Sequence, residues 1–184
     1  SKGAPEEIFK RCTKYELDGE VFDMEQIILV DLKTEYEELS ADGFRVLAIA
    51  YTDFGKNRER YSIEDEHNLI LKGYVAFLDP PKSTAKKTIE SLKNLGIDFK
   101  ILTGDSELVT MKICSEVALN VKGIITGEQV EKTTDSELKE LVKKTSVFAR
   151  LSPLQKEKVI HALHMNGHVI GYLGDGINDA PALK

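Results

Sequence analysis

The closing stretch GYLGDGINDAPALK, Gly171 to Lys184, sets two aspartates and an asparagine among glycines directly after an apolar run. Asp175 and Asp179 stand four apart across a turn, close enough for two hard oxygen donors to share one small cation. Mg²⁺ takes one or two carboxylates and completes its shell with waters and phosphate oxygens. The glycines flanking Asp175 let the backbone turn sharply and approach a ligand closely. Negative charge at the mouth of what reads as a buried strand is then tolerable, because a divalent ion and a phosphoryl group share the site.

Other residues supply what phosphate chemistry needs. In TGDS, Thr103 offers a hydroxyl and, with Gly104, backbone N–H groups to phosphoryl oxygens. Lys156 offers a point charge to offset that of a transferring group, and Asn178 an amide donor. Each piece alone has a plain structural meaning. TGD is a common turn, Lys156 a solvated helix residue, and the Asp175 to Asp179 loop an Asx-type cap. In this order, each after a strand, they point to one phosphate site. His161, His164 and His168 do not make a second one, since no cysteine lies nearby and His168 falls beyond Gly167.

The elements that must position these groups follow from periodicity. The early chain is mixed α and β: APEEIFKRC is a short helix opened by a proline, and VDLKTEYEELS aligns Ile28, Leu32, Tyr36 and Leu39 on one face before Gly43 stops it. FRVLAIAY reads as a strand and FGKNRERYSIEDEH as a polar connection. From Leu69 a strand, loop, helix rhythm sets in. The strands are LILKGYVAFL, IDFKIL, a short one near GIIT, SVFA and HVIGYL; the helices are STAKKTIESLKNLG, ELVTMKICSEVAL, SELKELVKK and LQKEKVIHALHMNG. The first of these helices turns Ala85, Ile89 and Leu92 inward and ends at Gly96. Such alternation predicts an α/β fold, a parallel sheet with helices on both faces. Ligands bind such sheets beyond the carboxyl ends of the strands, where TGD, Arg150, Lys156 and GDGIND all fall.

Composition narrows the classes. A net charge of −6, a pI near 5.3 and the lack of a basic stripe exclude a nucleic-acid surface. Cys12 and Cys114, far apart and without ligand spacing, read as free thiols rather than a disulfide. No apolar run reaches the roughly 18 residues of a membrane span, so the piece reads as soluble. It opens on SKGAPEEIF without methionine, which reads as a fragment.

KGAPE (Lys2 to Glu6), FRVLAIAY, DPPK (Asp79 to Lys82), TGDS, FARLSPLQKEK (Phe148 to Lys158) and GDGINDAPAL together resemble, in order, the P-type ATPases, ion pumps of the haloacid-dehalogenase superfamily. The resemblance implies a partial mixed α+β nucleotide-binding domain over residues 1–78. It implies a phosphorylation domain over 79–184, with a Rossmann-like haloacid-dehalogenase sheet. It places Lys2 and Gly3 at the adenine pocket, Arg45 on the ATP phosphates, Asp79 at the hinge, Asp105 at the nucleotide and hinge region, and Arg150 near the ribose. Thr103 and Gly104 would hold the phosphoryl group, Lys156 neutralise it, Asn178 bind phosphate, Asp175 ligate Mg²⁺ and Asp179 support the metal. ATP and Mg²⁺ are the implied cofactors. The implied partners are the rest of the same pump: the phosphorylated aspartate segment, the actuator and the transmembrane domains.

No D-K-T-G-T stretch, the family's nucleophile, occurs in this chain, so it is expected to be inactive by itself. LILKGYVAFLDPPK, KILTGDSELV and FARLSPLQKEKVI look most like the bacterial magnesium-transporting pumps, which places the chain on the cytoplasmic side of the plasma membrane. Calcium or other cation pumps, a free-standing phosphatase of the same superfamily, and a non-catalytic nucleotide sensor are the alternatives.

Overall fold

The computed structural model describes residues 1–55 and 60–174, and they divide into two compact units, Ser1–Asp79 and Pro80–Lys184. Unit 1 runs β1 (Lys2–Gly3), α1 (Pro5–Phe9), β2 (Cys12–Leu17), β3 (Glu20–Asp23), α2 (Gln26–Ala41), β4 (Phe44–Tyr51) and β5 (Leu69–Leu78). Its strands form one mixed sheet in the order β1-β4-β5-β2-β3. All neighbours are antiparallel except β2 and β5.

Period-2 alternation in β4 sends Val46, Ala48 and Ala50 to one face, where all three are buried. There Ala48 and Ala50 meet Ile8 and Phe9 of α1 and Leu69 and Leu71 of β5, with Leu29 and Leu32 of α2 packed alongside. Tyr36 on the same face of α2 is buried, and its hydroxyl donates to Glu6 at 2.9 Å. Tyr74 satisfies its hydroxyl on the Leu32 carbonyl at 2.8 Å and sets its ring edge-on to Phe9.

Unit 2 runs α3 (Ala85–Asn94), β6 (Ile101–Leu102), α4 (Glu107–Glu116), β7 (Ile124–Thr126), α5 (Gly127–Lys132), α6 (Asp135–Lys144), β8 (Val147–Ala149) and α7 (Pro153–His164). Its sheet is parallel, in the order β6-β8-β7. Phe148 on the central strand faces Val130 of α5, Leu138 and Val142 of α6, and Val159 and Leu163 of α7. Val147 and Ala149 point the other way and are equally buried. A central parallel strand covered on both faces has no polar side, which is why SVFA carries no alternation.

Three expectations need correction. Leu69–Leu78, read as opening the strand–helix rhythm, pairs along β4 and belongs to the sheet of unit 1. IDFKIL shrinks to Ile101–Leu102, because β6 can run only as far as its ladder with the three-residue β8. HVIGYL, expected to be a buried strand, forms no strand: Ile170 packs on the core of unit 2, while Val169 and Leu173 are fully exposed. An apolar run supplies a strand's side chains but not the neighbour that must take its N–H and C=O groups. The structure also adds α5, announced by the T-x-x-Q capping box of Thr126 and Gln129. Ala85, Ile89 and Leu92 share one side of α3, yet none is fully buried.

Candidate phosphate and nucleotide sites

In unit 2 the loops after β6 and β8 are stitched by three backbone hydrogen bonds. The Thr103 amide donates to the Phe148 carbonyl at 2.9 Å, the Leu151 amide to Thr103 at 2.9 Å, and the Arg150 amide to Asp105 at 2.8 Å. Within TGDS the Thr103 hydroxyl accepts from the Asp105 amide at 3.1 Å and donates to the Asp105 carboxylate at 3.0 Å. This closed turn sets Gly104 at its tip. Ser106 then caps α4 through the Val109 amide.

The loop after β8 leads straight into α7, where Ser152 and Gln155 form a capping box, at 3.3 and 2.9 Å, behind the proline at the helix start. Lys156, half-buried, follows Gln155 in the first turns of that helix. Thr103, Gly104, Asp105 and Arg150 are therefore brought together at the carboxyl edge of the sheet, and Lys156 is carried by the helix that leaves it. Asp175, Asn178 and Asp179 lie outside the described residues.

Sequence reasoning missed two residues of this edge. Glu107 accepts from the Arg150 Nε at 2.6 Å. Gly127 opens α5 so close to its neighbours that a Cβ there would lie 2.4 Å from both the Arg150 carbonyl oxygen and the Gln155 Oε1. Neither contact has a sequence signal, since each joins positions more than twenty residues apart. Glu107, Arg150, Thr126, Gln129 and Lys132 line an open groove of about 700 Å³.

Unit 1 holds the other expected site residues. Lys2 sits opposite Ile49 and Arg45 opposite Phe77, so both project from the sheet face away from α1 and α2. Arg45 is four residues along β4 from Ile49, about 14 Å at the rise of an antiparallel strand. Between them Leu47, Ile49 and Val75 make an apolar floor, with Phe77 beside Arg45. Gly73, beside Ile49, adopts φ +145° at a register shift in the β4–β5 ladder, with nothing within 4 Å of a would-be Cβ. A side chain there would be strained and would cover the floor.

At one end of this face, Glu16 accepts from Lys72 and, at 2.8 Å, from the Tyr51 hydroxyl. These bonds, Lys72 first, hold the Glu16 carboxyl below its ordinary range. Gly3 pairs with Ala48 in the same ladder, and Asp79 lies exposed at the end of unit 1.

A mixed sheet with a cationic and apolar face, and a parallel sheet with a TGD loop at its carboxyl edge, define a class. Residues 1–84 match the family described as P-type ATPase, cytoplasmic domain N, a stretch that takes in the whole of unit 1. Along its whole length it is 44% identical, over 183 residues, to the "Magnesium-transporting ATPase, P-type 1" of Escherichia coli (strain K12), covering 20% of that protein. It is 45% identical over 185 residues to a "Magnesium-transporting ATPase, P-type 1" of Salmonella typhimurium, again 20% of the relative. Identity falls to 35% over 185 residues with the "Calcium-transporting ATPase 1" of Lactococcus lactis, 21% of that protein. The chain thus spans about a fifth of the length of these relatives. Among the described residues no helix is long and apolar enough to cross a membrane.

Proposed function

We propose that the chain is the ATP-binding and phosphoryl-transfer region of a bacterial magnesium-transporting P-type pump. The observation that carries this reading is the pair of loops after β6 and β8, locked by backbone hydrogen bonds so that Thr103, Gly104 and Asp105 line one sheet edge. The higher identity to magnesium-transporting than to calcium-transporting relatives supports the ion. In this reading unit 1 is the later part of the nucleotide domain. Lys2, Gly3 and the apolar floor take the adenine, and Arg45 takes the phosphates. Unit 2, from the Asp79 hinge onward, is a phosphorylation domain of haloacid-dehalogenase type on the cytoplasmic side of the plasma membrane.

A carboxylate oxygen from an aspartate supplied by the rest of the pump attacks the γ-phosphorus. The bond from that phosphorus to the β–γ bridging oxygen breaks, and ADP leaves. Thr103 and the Gly104 amide hold the transferred group, Lys156 and Asn178 offset its charge, and Arg150 contacts the nucleotide. Asp175 and Asp179 are the hard oxygen donors Mg²⁺ prefers, and the bound ion would neutralise charge on the phosphates.

Two measurements test this. Membrane vesicles bearing the whole pump should take up magnesium, and not calcium, when given ATP. The chain by itself, incubated with γ-labelled ATP, should form no acid-stable acyl phosphate. Labelling of the isolated chain would overturn the assignment.

A further inference from the structure

Arg150 is held in a costly conformation. Its φ of +52° lies in the left-handed region, which glycine adopts far more cheaply than a residue with a Cβ. Its amide is fixed on the Asp105 carbonyl at 2.8 Å, and its own carbonyl is pressed against Gly127. With the backbone held on both sides, the side chain leaves in one direction, across Glu107. The bond from Nε to Oε2 is 2.6 Å, and engaging Nε sets the plane of the guanidinium as well as its position.

The ion pair is not there to hold the fold together. Its side chains are 44% and 33% exposed, and pairs so wet contribute little to stability. Its location is the informative part. Glu107 is the first residue of α4, directly after the Thr103-Gly104-Asp105 turn, whereas Arg150 follows β8. One carboxylate thus ties the orientation of Arg150 to the turn that receives the phosphoryl group.

We propose that Glu107 is a positioning residue that aims the Arg150 guanidinium at the nucleotide. This rests on the reading of Arg150 as a nucleotide contact given above.

The test uses the whole pump, with Glu107→Gln, Arg150→Ala and the double variant. For each, the KM for ATP, the kcat and the inhibition constant of orthophosphate, which has no nucleoside, are measured. Replacing the charged acceptor by a weaker, neutral amide oxygen predicts that Glu107→Gln raises the KM about fivefold, keeps kcat within about twofold and leaves orthophosphate inhibition unchanged. The double variant should match Arg150→Ala.

An unchanged KM for Glu107→Gln, with a raised one for Arg150→Ala, would overturn the positioning role and leave the nucleotide reading standing. A weakened orthophosphate inhibition, or a further KM rise on adding Glu107→Gln to Arg150→Ala, would place Glu107 in the phosphate turn instead. An unchanged KM for Arg150→Ala would remove the nucleotide contact itself, and the proposal with it.

Discussion

The two units place their candidate binding residues by opposite means. In unit 1, Lys2 and Arg45 stand on a sheet whose central ladder joins an eight-residue strand to a ten-residue one, and register alone sets their spacing. Among the described residues of unit 2 no strand exceeds three residues, and Thr103, Asp105 and Arg150 sit on loops held by hydrogen bonds to one another and by a core beneath them. Long strands make a site that tolerates side-chain changes. Short strands make one that depends on everything packed under it, because each loop borrows its rigidity from distant residues. Substitutions on the open sheet face of unit 1 should therefore lower ligand affinity, and those in the core beneath the loops of unit 2 should lower stability.

The sharpest break of that contrast is expected at Phe148, fully buried under the loop that carries Arg150. Phe148→Ala should cost unit 2 about 3–5 kcal/mol in denaturant unfolding, and a whole pump carrying it should lose acyl-phosphate formation with the fold of this unit. Gly127→Ala comes next. Its Cβ would meet a backbone oxygen at 2.4 Å that cannot swing away, so a loss of about 1–3 kcal/mol is expected. A melt unchanged from the parent would show that α5 shifts freely and does not brace Arg150.

In unit 1, Lys2→Glu should weaken ATP binding by about tenfold, near 1.4 kcal/mol, in a calorimetric titration. The melting temperature should hardly move, since Lys2 is exposed. Unchanged affinity would return Lys2 to the ordinary surface.

The smallest effect concerns pH. Because Lys72 and Tyr51 hold the folded Glu16 carboxyl below its ordinary range, their stabilisation is present above the usual carboxylate range. It is lost as pH falls through the lowered folded value. Glu16→Gln should flatten the acid limb of the stability curve of unit 1 by lowering its stability slightly at neutral pH and leaving it nearly unchanged at acid pH. An acid limb with the parent's slope would show that another carboxylate carries it.

Local chemistry made much of this legible. Helix starts were written in the chain: the proline and S-x-x-Q box before α7, and the T-x-x-E box of Thr134 before α6. FRVLAIAY and LILKGYVAFL have strand bounds identical to those read from the sequence, because long runs rich in β-branched and aromatic residues have few other uses. The TGD turn was legible because its hydrogen bonds join residues two apart. The strand expected at HVIGYL failed for the opposite reason: hydrophobic period describes one strand and says nothing of its neighbour.

The sequence by itself determined the motifs, the helix caps, the long strands and the family they define. Each of these is decided within a few residues, by backbone sterics, short-range hydrogen bonds and side-chain period. Only the tertiary structure decided that β5 joins the first sheet, that Lys2 and Arg45 share a face, and that Glu107 reaches Arg150. Those outcomes depend on which distant segments meet, and pairing across tens of residues is chosen by the burial and hydrogen-bond satisfaction of the whole chain.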